Sequence, residues 1–144
     1  MAIDYIERDL TDAELALVNA GFAAHANELA NPATPSIRYG LVALDAGQFV
    51  GCATGLAHDS RRWFYVTDLY VEKPYRGRGI GSALLAALER GVVALGGERI
   101  WAWTAAFEAP AFYQKHGYVI FCEMAGWYVS GHSRVGVWKT LAGA

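Results

Sequence analysis

Cysteine is scarce in this chain: Cys52 and Cys122 are its only two, far apart and without C-x-x-C spacing. That argues against a disulfide framework or a cysteine zinc site and fits a reducing cytoplasm. No uninterrupted apolar run reaches about 18 residues, so no membrane span is expected. The opening segment MAIDYIERDL lacks a basic n-region and an apolar h-region, so no signal peptide is expected. Twelve basic against 14 acidic side chains leave a net charge of -2. That is too little of either sign for a dominant contact with nucleic acid or an anionic membrane. His25, His58, His116 and His132 have no metal-ligand spacing such as H-x-x-x-H, so no metal site is expected. Internal repeats, low-complexity tracts and charge blocks are also missing.

What is present is apolar surface and glycine. The chain has 144 residues, of which 54% are hydrophobic and only 18% charged. Disorder is excluded on those figures, and the length suits one domain, residues 1–144. Sixteen glycines are about 11% of the chain, against roughly 7% in average proteins. Glycine is costly inside helices and strands, so some of these mark places where backbone geometry matters.

The patterning gives an element order. Residues 3–8 read as a short strand. Thr11 and Glu14 form a capping-box pattern, and Leu15, Val18, Phe22 and Leu29 recur at helical spacing over residues 12–30. Residues 37–44 and 49–56 read as a hairpin around Asp45-Ala46-Gly47, and residues 63–71 as a third strong strand. The period then changes: Ile80, Leu84, Leu88, Val92 and Leu95 make one helix stripe, closed by Gly96-Gly97. A strand at 99–104, a short helix at 108–116 opened by Glu108 and Pro110, and strands at 118–123 and 134–141 complete the chain. Trp101 and Trp103 alternate on their strand, one expected toward the core and the other toward a cleft. The strand–helix–strand crossover at 63–104 implies a parallel pair. The expected fold is α+β, a mixed, mostly antiparallel central sheet of six to seven strands flanked by helices on both faces.

The most informative segment joins that third strand to its helix: Leu69-Tyr-Val-Glu-Lys-Pro-Tyr-Arg-Gly-Arg-Gly-Ile-Gly-Ser82. A helix N-terminus carries free N–H groups and partial positive charge. Gly77, Gly79 and Gly81 let an anion approach the backbone, and Arg76 and Arg78 add charge and forked donors. The chemistry is that of a phosphate or pyrophosphate cradle. The loop lacks the lysine of a P-loop, and its G-x-G-x-G spacing is not the Rossmann G-x-G-x-x-G. A plain tight turn is the alternative, but three alternating glycines between two arginines exceed what a turn needs.

Arg76-x-x-Gly79-x-Gly81 resembles the R/Q-x-x-G-x-G/A motif of the GNAT superfamily of N-acetyltransferases. Downstream, Ala109-x-x-Phe112-Tyr113-x-Lys115-x-Gly117-Tyr118 is similar to that family's A-x-x-F/L-Y-x-x-x-G-F/Y segment. The two occur in order, with the expected elements around them, and together with the closing strand they cover residues 63–141. The resemblance implies a GNAT-like fold, acetyl-CoA as cofactor, and acetyl transfer to an amine. It implies that Arg76, Gly77, Arg78, Gly79, Ile80, Gly81 and Ser82 hold the pyrophosphate. Leu69 and Val71 would bond the pantetheine arm through their backbone. It further implies that Tyr113 protonates the departing thiolate of coenzyme A; without the motif, Tyr113 would read as a core residue.

A general base is not evident. Where family members often carry a glutamate, this chain holds Tyr65 and Trp101. Asp68, Glu72, Glu108 and His116 lie nearby and read as solvated charges or a first-turn acid; a water chain can serve instead. Ala106 stands where many relatives carry asparagine. Expected partners are a small-molecule amine or peptide acceptor and a second copy of the chain in a homodimer, in the cytoplasm. The alternative function is a non-catalytic acyl-CoA binding domain. The loop 126–133, rich in aromatics, is expected to close over the acceptor, to form a dimer contact, or simply to pack.

Overall fold

The computed structural model describes residues 2–32, 34–58, 61–107 and 109–141. The chain forms two units, Met1–Thr34 and Pro35–Ala144.

The first unit holds helix α1, Asp12–Glu28. Its start follows the capping box: Thr11 Oγ1 accepts from the Glu14 N–H at 3.2 Å, and Glu14 Oε2 accepts from the Thr11 N–H at 2.8 Å. Arg8 adds two further bonds to the Glu14 carboxylate, at 2.8 and 2.7 Å. The helix stops two residues short of the expected end, because Ala30 takes a left-handed φ of 55°. The expected strand at residues 3–8 is not formed. Ile3, Tyr5 and Ile6 break the alternation a half-buried strand needs, and Arg8 is committed to the helix cap.

The second unit is a six-stranded sheet in the order β1-β2-β3-β4-β6-β5. The strands are β1 Ile37–Asp45, β2 Gln48–Ala57, β3 Trp63–Val71, β4 Arg99–Ala105, β5 Val119–Met124 and β6 Arg134–Thr140. Helix α2, Ile80–Ala94, connects β3 to β4, and the short helix α3, Pro110–Lys115, follows β4. Among the described residues, β3 and β4 pair in parallel and the other four strand pairs are antiparallel. The β1–β2 turn is tighter than expected. Ala46 and Gly47 both have positive φ, 48° and 84°, which matches the twist of a two-residue hairpin.

The crossover helix supplies the core. Leu84, Leu85, Leu88 and Val92 of α2 are buried and cluster with Ala53, Phe64, Val66, Ile100, Ala102 and Val137 from four strands. Leu88, Ile100 and Val137 are wholly inaccessible. Deleting such a side chain costs about 2–5 kcal/mol, the transfer term plus the cavity left behind. Tyr113 of α3 and Tyr118 join the same cluster, so the core that holds the sheet together also fixes the tyrosine singled out in the sequence.

Candidate active site

The sheet opens between its two parallel strands. β3 and β4 pair from Trp63↔Arg99 to Val66↔Ala102 and no further, although β3 runs on to Val71 and β4 to Ala105. Each strand keeps its outer neighbour. β3 stays on β2 as far as Val71↔Gly51, and β4 stays on β6 as far as Ala105↔Arg134. A bulge marks the departure point: Gly55 faces Val66 and Thr54 faces Asp68, so Thr67 has no partner in the register. Past the bulge, the inner edge of β3 presents backbone groups to a gap rather than to a strand. The gap is a cavity of about 560 Å³, walled by Leu69 and Val71 on one side and by Trp103, Thr104, Phe112 and Tyr113 on the other.

The glycine loop sits at the mouth of this gap. Gly77 and Gly79 have φ of 77° and 79°, which L side chains rarely adopt. Gly79 is the N-cap of α2, and no side chain caps the helix there. The first N–H groups of the helix are therefore left for something else. A second cavity, of about 380 Å³, lies over them and is lined by Gly77, Gly79, Ile80, Gly81, Ser82 and Lys115 among others. Val71, Arg76, Gly81 and Phe112 line both cavities, which makes one continuous cleft.

Gly81 is the informative position. A Cβ there would lie 3.7 Å from Val71 Cγ2 and 3.8 Å from Phe112 Cζ, which is ordinary contact, and no positive φ demands glycine. No side chain of its own covers the backbone there, which suits close approach of an anion. Arg76 is anchored at the same place, its Nε–H donating to the Val71 carbonyl at 2.9 Å. Arg78 follows two residues on in the loop. Its guanidinium lies 5.0 Å over the Tyr75 ring, and Tyr75 in turn donates to Asp45 Oδ2 at 2.7 Å.

Tyr113 is 5% exposed and lines the cleft. Its ring meets Tyr118 edge-on at 5.2 Å. The Tyr118 hydroxyl is buried with no hydrogen-bond partner among the described residues. Burial, then the Glu89 carboxylate and Tyr113, push its pKa far above the usual phenol value, so Tyr118 stays a neutral packing surface. A polar chain that sequence reasoning missed holds α3 in place. His116 Nε2 lies 2.9 Å from Ser82 Oγ. The His116 carbonyl accepts from Lys139 Nζ at 3.0 Å, and Lys139 also grips Glu89 of α2 at 2.6 and 3.0 Å. These residues are up to 50 positions apart, and no local pattern signals their meeting.

Of the acidic candidates, Asp68 lines the cleft and accepts from Thr54 Oγ1 at 3.0 Å. Glu72 accepts from Tyr70 Oη at 3.1 Å, and His116 is engaged with Ser82. Glu108 lies outside the described residues. Tyr65 and Trp101 stack on each other across the β3–β4 pair, 4.4 Å between centroids.

The two tryptophans of β4 correct the sequence reading. Residues two apart on a strand share a face, and both rings lie on the face away from α2, edge to face at 5.8 Å. With Trp63, Phe121 and Trp138 they line a further cavity of about 460 Å³. Gly136 makes room for it: a Cβ there would come within 2.6 Å of Phe121 Cζ. Arg134 lies 4.7 Å over Trp103 and 5.1 Å over Trp127, and Arg99 lies 5.5 Å over Trp63. In the 126–133 loop, Tyr128 and His132 pack edge-on against Phe107. Among the described residues no three histidine, cysteine or acidic side chains come together as a metal site, and no helix is long and apolar enough to cross a membrane.

The second unit thus combines a sheet split between parallel strands, an uncapped glycine-rich helix start at the mouth of the split and a buried tyrosine on the next helix. Residues 37–120 match the acetyltransferase (GNAT) domain family, and the chain belongs to that family. Over 77 residues it is 35% identical to a blasticidin-S acetyltransferase from Streptomyces morookaense, a match covering 51% of this chain and 54% of that protein. The chain thus spans about half the length of this curated relative. A crystal structure of an acetyltransferase from Bacillus cereus superposes with a TM-score of 0.81 at 25% identity, covering 96% of this chain and 98% of that one. An aminoglycoside 6'-N-acetyltransferase complexed with coenzyme A shares the fold at a TM-score of 0.64 and 22% identity, over 81% of this chain and 77% of that one.

Proposed function

We propose that this protein transfers the acetyl group of acetyl-CoA to an amine of a small molecule by direct attack. The observation that carries the reading is the continuous cleft from the uncapped start of α2, along the freed edge of β3, to Tyr113. Its parts fit the chemical parts of coenzyme A in order. The N–H groups of residues 77–82, with Arg76, receive the pyrophosphate. The backbone of Leu69 and Val71 receives the amide-bearing arm, where a strand is missing. When bound, acetyl-CoA supplies the thioester that the amine attacks.

Tyr113 then has one task at the far end. Its hydroxyl gives a proton to the departing sulfur. Packing against Tyr118 and the Ser82–His116 link hold it at that place. The amine must arrive neutral, and its proton leaves through water in the open side of the cleft. The similarity to antibiotic acetyltransferases supports a small-molecule acceptor.

The test is coenzyme A release across a panel of amines. Tyr113→Phe is expected to lower kcat by about 10²-fold or more, the usual contribution of a positioned acid, with the KM for acetyl-CoA unchanged. Unchanged kcat in Tyr113→Phe removes the tyrosine from the mechanism. Binding of acetyl-CoA with no product from any amine removes the transfer reading itself.

A further inference from the structure

We infer that the tryptophan-lined cavity beside the cleft is the acceptor's recognition site, and that it selects amines carried on a flat aromatic ring. This rests on the acetyl-transfer reading above. Three observations carry it.

The first is continuity. Trp103 is a wall of both the aromatic cavity and the cleft that holds Tyr113. A ligand seated in the aromatic cavity therefore reaches the reacting end of the cleft by passing one side chain. The second is lining. Four tryptophans and Phe121 line an open groove of about 460 Å³, within the range of small-molecule sites and too apolar for a polar sugar or peptide body. Trp63 and Trp138 are tilted at 5.6 Å, and Trp103 and Phe121 at 5.9 Å. These rings offer faces and edges for a further ring to stack upon.

The third is the placement of charge. Arg99 and Arg134 already cover Trp63 and Trp103. These guanidinium groups already occupy the indole faces they cover, Arg99 while paired with Glu98 at 3.5 Å, so those faces are not a cage for an ammonium group. The complementary charge is instead on the cleft side. Asp68 lines the cleft just past the β3 bulge, its carboxylate held by Thr54 Oγ1. Thr54 and Asp68 are register partners, and Tyr65 pairs with Leu56 on the same face, so Asp68 looks out on the side that bears the tryptophans. The acceptor thus has its neutral ring among the tryptophans and its amine toward Asp68, where the acetyl group arrives.

The experiment compares 2-phenylethylamine with n-propylamine, primary alkylamines that differ in carrying a phenyl or a methyl group on the same aminoethyl chain. In the wild-type protein with saturating acetyl-CoA, kcat/KM from coenzyme A release is expected to favour 2-phenylethylamine by about 10- to 100-fold, the scale of burying one ring. Trp63→Ala is expected to cut that preference to about threefold or less. Phe121→Ala, on the edge strand β5, tests the same wall should Trp63→Ala fail to fold. Equal kcat/KM for the two amines in the wild-type protein overturns the inference and leaves the transfer reading standing. A second readout is independent of turnover: 2-phenylethylamine is expected to change the tryptophan emission of the wild-type protein, and n-propylamine is not. Failure of that difference also overturns the inference. Binding of the aryl amine with no coenzyme A release overturns the assignment as an acceptor site together with the transfer reading. A concentration-dependent dimer that excludes 2-phenylethylamine and is dispersed by Trp63→Ala overturns it in favour of a second copy of this chain.

Discussion

Gly81→Ala separates what the fold needs from what the ligand needs. The substitution adds one methyl group in the first turn of α2, 3.7 to 3.9 Å from Val71 and Phe112. Nothing clashes, and no left-handed backbone is required. Alanine is also the better helix former, by about 0.8–1 kcal/mol in a helix interior and less in a first turn. The variant is therefore expected to gain up to about 1 kcal/mol, which raises Tm by a few degrees in a domain of this size. The same methyl group occupies the junction of the two cavities, over N–H groups that have no cap. The motif accepts alanine as well as glycine at this position, and the added methyl removes no N–H, so the Kd for coenzyme A is expected to stay within about threefold. The assays are thermal melting of the free protein and calorimetric titration with coenzyme A. Tm should rise while affinity holds. A Kd raised by about tenfold or more refutes a phosphate seated clear of this Cβ, and a lowered Tm refutes the reading of the space around Gly81. Gly79→Ala is the contrast. Its Cβ meets nothing, but its φ of 79° strains any other residue by about 1–2 kcal/mol, so the free protein itself should melt lower.

Two further outcomes follow from the ion pairs. Lys139→Ala strands the Glu89 carboxylate, whose side chain is only 13% exposed, and frees the His116 carbonyl; a loss of about 2–3 kcal/mol is expected, below the full penalty for a deeply buried pair, and chemical denaturation measures it. At the α1 cap, the bonds from Arg8 and then from the Thr11 backbone lower the Glu14 pKa from 4.5 to about 2. A carboxylate with a depressed folded pKa contributes stability above its unfolded value and loses it as pH falls, so the cap should weaken between about pH 4.5 and pH 2. Carboxyl NMR titration checks it, and a Glu14 midpoint near 4.5 refutes the capping geometry.

The residues that announced the site are those whose signals are local. A glycine cluster between strand and helix, a capping box and a 4-4-4-3 leucine stripe are all readable within a dozen residues. The structure places Gly77, Gly79, Ile80, Gly81 and Ser82 on one cavity wall and Tyr113 on the adjoining one. What was not legible depends on distant partners. The bulge at Thr67 exists because β2 pairs Val66 and Asp68 on either side of it, and that register shift is invisible in β3 alone. It turns Asp68 into a lining residue of the cleft. The aromatic cavity needs Trp63, Trp101, Phe121 and Trp138 from four strands on one face. Reading β4 by itself assigned its two tryptophans to opposite sides, against the period of a strand. The Ser82–His116 and Lys139–Glu89 links join three elements through side chains with no sequence spacing to reveal them. Ile3–Arg8 failed for a related reason: a strand is a relationship, and apolar composition without alternation names no partner.

The split between β3 and β4 also divides labour. Three strands, β1-β2-β3, carry the edge that Leu69 and Val71 offer, and three, β4-β6-β5, carry most of the tryptophan wall and lead into Tyr113. Only four register pairs join the two halves directly. On the acetyl-transfer reading proposed above, changes at Trp101, Trp103, Phe121 and Trp138 redraw most of the acceptor wall while the β3 edge at Leu69 and Val71 is left untouched, with Trp63 and Asp68 as the β3 exceptions.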